Sequence, residues 1–129
     1  LKKIIKIAKT KKEVKLIDDQ IGSPTNAADL AKLIIHILKF DNYQWSIADI
    51  FHFSNEGSCS WFEFANEIVK LYKLKINLKR ISSLDYTANL IRPKYSVLDN
   101  EKIKKTFFFN PIDWKSSLYN SRNLELLRI

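Results

Sequence analysis

Eight residues, Asp18 to Thr25 (DDQIGSPT), constrain this chain more than any other stretch. They join two different periodicities. Ahead of them, Val14-Lys15-Leu16-Ile17 has the short, alternating apolar character of a strand. Behind them, Ala27 to Leu38 has the spacing of an amphipathic helix. The stretch is therefore a strand-to-helix turn, the place where α/β proteins commonly bind ligands. Gly22 tolerates backbone angles closed to other residues. Pro24 removes a donor and fixes its own φ at a turn or helix-start value. Thr25 or Asn26 can cap the helix with a side-chain oxygen. Gln20, Ser23 and Thr25 are then left to point polar groups at a ligand. The competing reading is an ordinary joint with nothing bound.

At 129 residues the chain is one ordinary domain in size, long enough to bury roughly two-thirds of its unfolded surface. A hydrophobic content of 46% with 12% aromatic residues excludes a disordered chain. No apolar run approaches the ~20 residues that span a bilayer, and Leu1 to Lys12 alternates Lys with Ile, unlike a signal peptide. The single Cys59 excludes an internal disulfide and fits a reducing compartment. The chain has no Met and begins at Leu1, which suggests a piece of a longer protein. Net charge is +8, with Lys at positions 2, 3, 6, 9, 11, 12 and 15. Such a balance suits anionic partners. The basic residues are not interleaved with aromatics, however, so a solvated Lys-rich face is the favoured reading.

Residues 1 to 10 read as the tail of an amphipathic helix, and Val14 to Asp18 as a strand. Adjacent Asp18 and Asp19 point to opposite faces of a strand and cannot act as a paired acid and base there. On the helix from Ala27, the residues Ala27, Leu30, Ala31, Ile34, Ile37 and Leu38 define an apolar face. His36 falls on the other face, in solvent. Asp41 to Ala48 is a loop, with Tyr43 and Trp45 packing its underside. Asp49 to Ser54 (DIFHFS) alternates as a second strand, with His52 most simply a buried or half-buried sheet residue. Two His and one Cys at unrelated spacings offer no metal site.

Gly57 turns the chain. Ser60 and Glu63 have the spacing of a capping box, and Trp61, Phe64, Ala65, Ile68 and Tyr72 continue as a helical stripe. Lys75 to Ile81 is a third strand, near an edge. Ser82 or Ser83 caps a short turn through Tyr86, and Thr87 to Ile91 has no clear period. Pro93 holds Arg92 extended, and the planar Arg fork suits phosphate. Tyr95 to Leu98 is a short strand, Asp99 or Asn100 caps a helix holding Ile103, and Asp113 to Leu118 is the last element.

Six strings then matter together: DDQIGSPT (18–25), AADLA (27–31), FHFSNEGSCSWFEFANEI (51–68), ISSLDY (81–86), RPKYSVLDN (92–100) and DWKSSL (113–118). In this order they resemble the C-terminal part of the dTDP-4-dehydrorhamnose reductase family, within the extended short-chain dehydrogenase/reductase superfamily. The resemblance implies an α/β fold: the C-terminal substrate-binding portion of a Rossmann-type enzyme, lacking the N-terminal dinucleotide-binding half. Residues 1–129 form a single substrate-binding piece, with 119–129 a tail that is hard to align. It implies reduction of dTDP-4-dehydro-β-L-rhamnose to dTDP-L-rhamnose, a donor for surface polysaccharide. The cofactor implied is NADPH or NADH, bound mainly by the missing half, with Mg²⁺ left open. The substrate-binding residues implied are Gln20, Ser23, Thr25, Arg92, Tyr95 and Ser96. Arg92 would meet the diphosphate, with Tyr95 and Ser96 assisting. The partners implied are a dTDP-sugar and the missing Rossmann half, with a homodimer left open, no nucleic acid and no membrane, in the cytoplasm.

Part of the family's machinery is absent from the sequence. Only Gly22 and Gly57 are present, so there is no Gly-rich cofactor turn. No Tyr is followed four residues later by Lys, so no catalytic residue is assigned. Asn26 stands where relatives often carry an aromatic, TANLI at 87–91 replaces a Pro-rich segment, and Phe108 replaces a Gly that ends a helix. With half of a reductase missing, exposed edges and apolar helix faces are expected. A non-catalytic nucleotide-sugar-binding relative and a small basic nucleic-acid-binding domain are the alternatives.

Overall fold

The computed structural model describes residues 1–40, 49–86 and 92–126, with side chains through residue 122. In chain order the elements are α1 (Lys2–Ala8), β1 (Glu13–Ile17), β2 (Ile21–Gly22), α2 (Ala27–Leu38), β3 (Cys59–Ser60), α3 (Trp61–Tyr72), β4 (Asn77–Ile81), a 3-10 turn (Ser83–Asp85), β5 (Tyr95–Ser96), α4 (Glu101–Phe107) and α5 (Trp114–Leu126). They form two units, each built from two stretches of chain. The first combines Leu1–Gly22 with Ser58–Val97, the second Ser23–Gly57 with Leu98–Ile129. No helix among the described residues is long and apolar enough to cross a membrane.

The first unit is packed around α3. Its start is fixed by the capping box that the Ser60/Glu63 spacing predicts: Ser60 Oγ accepts the Glu63 N–H at 3.0 Å, and Glu63 Oε2 accepts the Ser60 N–H at 2.8 Å. Ala65, Ile68 and Leu71 form its buried stripe. Phe64 and Tyr72 are half-buried, and Trp61, at the first helical position, is exposed rather than part of the stripe. The helix stops at Lys73, which adopts the left-handed conformation. β1 and β4 pair in parallel, Glu13 opposite Asn77 through Ile17 opposite Ile81. The Arg80 guanidinium lies over the Phe62 ring at 4.4 Å, so α3 covers the face that Arg80 shares by alternation with Leu78 and their partners Leu16 and Val14. A second, small sheet has the order β3-β2-β5, with β2 antiparallel to β3 and parallel to β5. The strand expected over Tyr95 to Leu98 is thus confined to Tyr95–Ser96.

The second unit has an apolar and aromatic core. Leu33, Ile103, Phe107, Trp114 and Leu118 are buried in it. Phe107 meets Phe40 edge-on at 5.5 Å and Phe51 at 5.1 Å. Burying a ring of that size stabilises by about 1.5–3 kcal/mol. α4 ends at Phe108, again in the left-handed conformation, and α5 runs on to Leu126 through much of the expected tail.

Four expectations change here. DIFHFS is not a strand. Ser54 N–H donates to the Asn100 side-chain oxygen at 3.0 Å, and the Asn100 amide donates back to the Ser54 carbonyl at 3.0 Å. A side chain therefore satisfies the backbone that a ladder would otherwise serve. The alternation survives, with Phe51 and Phe53 half-buried, but His52 points outward and is exposed. His36 is half-buried, its Nε2 2.8 Å from the Phe107 carbonyl and its ring against Phe109. On α2 the buried residues are Asp29 and Leu33, while Leu30, Ile34, Ile35 and Leu38 are exposed. The loop expected at 41–48 and the aperiodic 87–91 lie outside the described residues.

Candidate functional site

The two aspartates of DDQIGSPT anchor its strand end. Asp18 accepts from the Ser60 hydroxyl and, at 3.0 Å, from Arg80. Asp19 accepts from the Ser83 hydroxyl and N–H, each at 2.8 Å, and from the Ser82 hydroxyl at 3.2 Å. These bonds, the Ser83 hydroxyl foremost, together outweigh the opposing effect of burial and hold the Asp19 carboxyl below its ordinary value. Each carboxylate is committed to its own partners, and the two do not form a dyad.

Gln20, Tyr95 and Ser96 come together in the first unit. Gln20 directly precedes β2, where Ile21 N–H donates to the Lys94 carbonyl at 2.7 Å. Tyr95 is opposite Ile21 and Ser96 opposite Gly22. Ser96 Oγ donates to the Ile21 carbonyl at 3.3 Å. A Cβ at Gly22 would approach that hydroxyl to 3.2 Å, which is why the smallest residue suits the position. Tyr95 is exposed. Arg92 lies three residues before β5, exposed, and makes no ion pair with any described residue.

Ser23 and Thr25 belong to the second unit. Ser23 Oγ donates to the Gly57 carbonyl at 3.0 Å. Gly57 has φ +82, and a Cβ there would come within 3.1 Å of Asp113 and Trp114. The turn is thereby closed by a residue that has to be glycine. Thr25 Oγ1 makes only a long contact, 3.4 Å, to the Ser23 carbonyl and stays exposed. Asn26 is the helix cap: its Oδ1 accepts the Ala28 N–H at 2.9 Å.

Beneath this cap lies a buried polar network that the pattern of residues did not reveal. Asp29 is 6% exposed. It accepts from Lys32 and from the Asn55 amide, each at 2.9 Å, and from the Ser117 hydroxyl. Asn55 Oδ1 accepts the Asn26 N–H at 2.8 Å, and the Asn26 amide donates to Ser117 and Ser121, each at 2.8 Å. Burial pushes the Asp29 carboxyl up, but the bonds from Lys32, Ser117 and Asn55 and the charge of Lys32 outweigh it and hold the group below its usual range. The only hint in the sequence is that Asp29 lies in line with Leu33, His36, Ile37 and Phe40 at helical spacing.

The candidate side chains are hydroxyls, an amide and one guanidinium, groups able to hydrogen-bond polar and anionic ligands. Among the described residues no three His, Cys, Asp or Glu side chains converge to hold a metal ion, so the Mg²⁺ expectation finds no support there. The chain has only two glycines, Gly22 and Gly57, and neither lies in a Gly-rich turn.

The fold is a mixed α/β one, with parallel and antiparallel strand pairs. Residues 1–125 match the RmlD substrate binding domain, and the chain belongs to that family. It is 35% identical over 115 residues to the spore coat polysaccharide biosynthesis protein SpsK of Bacillus subtilis, covering 89% of this chain and 38% of that one. It is 31% identical over 129 residues to a dTDP-4-dehydrorhamnose reductase of Aggregatibacter actinomycetemcomitans, covering 95% and 44%. Among solved structures, the dTDP-4-dehydrorhamnose reductase of Bacillus anthracis in complex with NADP superposes with a TM-score of 0.83 at 34% identity, over 92% of this chain and 41% of that one. The ortholog from Clostridium acetobutylicum gives 0.84 at 33%, over 99% and 43%. The chain thus spans about two-fifths of the length of these relatives.

Proposed function

We propose that this chain is the substrate-binding part of a dTDP-4-dehydrorhamnose reductase, contributing sugar-nucleotide contacts to a reaction whose hydride-transfer groups lie outside these 129 residues. The observation that carries the reading is the match of residues 1–125 to the RmlD substrate binding domain. The substrate is a dTDP-4-dehydro-hexose reduced at C4, the product dTDP-L-rhamnose, and the reductant NADPH or NADH held by the rest of such an enzyme. Arg92 meets the diphosphate: a guanidinium with no ion pair among the described residues is available for a charge-assisted bond. Tyr95 and Ser96 adjoin it in sequence, and Gln20, Ser23 and Thr25 offer hydrogen bonds to sugar and base. The work is cytoplasmic, and the second partner is the N-terminal Rossmann half.

The test is calorimetric titration of the chain with dTDP-L-rhamnose. Arg92→Ala is expected to weaken binding about tenfold, since a bond to a charged group contributes ~1.5–3 kcal/mol. Addition of a separately produced N-terminal half with NADPH is expected to restore reduction. An unchanged affinity in Arg92→Ala refutes the role of Arg92. Binding without restored reduction favours a non-catalytic relative. Binding of arbitrary DNA with a steep salt dependence, and none of dTDP-sugar, refutes the whole reading.

A further inference from the structure

We propose that Asp29 is a positioning residue for the turn at 23–26: together with the Ile112 carbonyl it sets the direction of the hydrogen bonds that fix this turn, and so holds Ser23 and Thr25 in the geometry that meets the sugar nucleotide. The proposal rests on the reading above that these two side chains face that ligand.

Asp29 is the one buried charged residue among the described residues. A buried carboxylate is costly even when paired, as Asp29 is with Lys32, and an apolar residue often serves stability as well or better. Its effect lies in direction. An ionised carboxylate only accepts, so Asn55 turns its NH₂ toward Asp29, where it donates at 2.9 Å, and the same NH₂ donates to the Ile112 carbonyl at 3.2 Å. The Asn55 oxygen is thereby aimed at the Asn26 N–H, 2.8 Å away. The Ser117 hydroxyl must likewise give its proton to Asp29, which leaves its lone pairs for the Asn26 amide at 2.8 Å. The Asn26 oxygen then faces Ala28 N–H and caps α2. Every bond in the chain from Asp29 to the turn has a single allowed polarity. With an amide at position 29 the Asn55 NH₂ keeps the Ile112 carbonyl but loses its charged acceptor, and one neutral oxygen must serve both Asn55 and Ser117, so the bonds that reach Asn26 weaken.

The experiment uses the full chain, with Asn26 amide exchange read by NMR and dTDP-L-rhamnose binding read by calorimetry. Asp29→Asn is expected to speed Asn26 exchange about tenfold and weaken binding about fivefold, on the scale of one lost buried bond. Exchange at Phe107, in the same unit's core, stays near wild type, which a general loss of stability would not allow. If Asp29→Asn does not fold, Ser117→Ala serves in its place, with a smaller acceleration confined to Asn26. Unchanged Asn26 exchange or equal acceleration at Phe107 overturns the proposal. A wild-type chain that does not bind, or Ser23→Ala/Thr25→Ala with unaltered affinity, overturns instead the reading on which it rests, whatever Asn26 exchange shows.

Discussion

Replacing Phe108 inverts a familiar order of stability. Inside a helix, alanine is better than glycine by about 1 kcal/mol. Phe108 ends α4 with φ 51 and ψ 34, a conformation that costs an L-residue about 1–2 kcal/mol. Glycine escapes this cost but gives back about 0.5–1 kcal/mol through the greater freedom of its unfolded chain. The ring is 79% exposed, and its contact with Phe40 is lost equally in either variant, so it cancels from the comparison. Phe108→Gly is therefore expected to be more stable than Phe108→Ala by about 0.5–1 kcal/mol, or roughly 2–4 °C in melting temperature for a chain of this size. Lys73, with φ 51 and ψ 42 at the end of α3, should behave in the same way. Lys104, inside α4, should show the ordinary order. Thermal and urea unfolding of the six variants measure the three differences. Alanine equal to or better than glycine at 108 would refute the reasoning.

Ser60→Ala removes both the cap of α3 and the hydroxyl that donates to Asp18, and is expected to cost about 1–2 kcal/mol in urea unfolding. Acid should act through Asp29. Its carboxyl is held below the ordinary value in the folded state, so the stability it contributes is present above about pH 4 and is lost as pH falls through the folded value. Urea midpoints measured between pH 7 and pH 3 should fall less steeply in Asp29→Asn than in the wild type.

Legibility in the sequence followed the range of the interactions. The capping box was readable because Ser60 and Glu63 are three residues apart. The ends of α2 were readable for the same local reason, with Asn26 as cap. Its buried face was not. Apolar residues nearly surround that helix, and the choice among faces is made by Asn55 and Ser117, partners 26 and 88 residues from Asp29. DIFHFS showed a true alternation, yet its backbone is satisfied by Asn100, 46 residues away, instead of a neighbouring strand. The left-handed end of α4 was visible as Phe108 in a glycine's place. Among the candidate ligand contacts, Tyr95 and Ser96 do adjoin the strand that leaves Gln20. Asp29, the residue beneath the turn, looked like an ordinary polar position on an amphipathic helix. The exposed Leu30, Ile34, Ile35 and Leu38 agree with the apolar helix faces expected of a partial enzyme.

The interleaving of the two units has a consequence for biosynthesis. On the ribosome, β1 emerges well before its partner Asn77 to Ile81, and Asn26 waits still longer for Ser117. Neither unit can finish in the order in which it is made, and no single scission releases the second one whole. Nascent chains halted before residue 77 are thus expected to depend on holdase chaperones, and late stop codons to damage a helix cap encoded some ninety residues earlier.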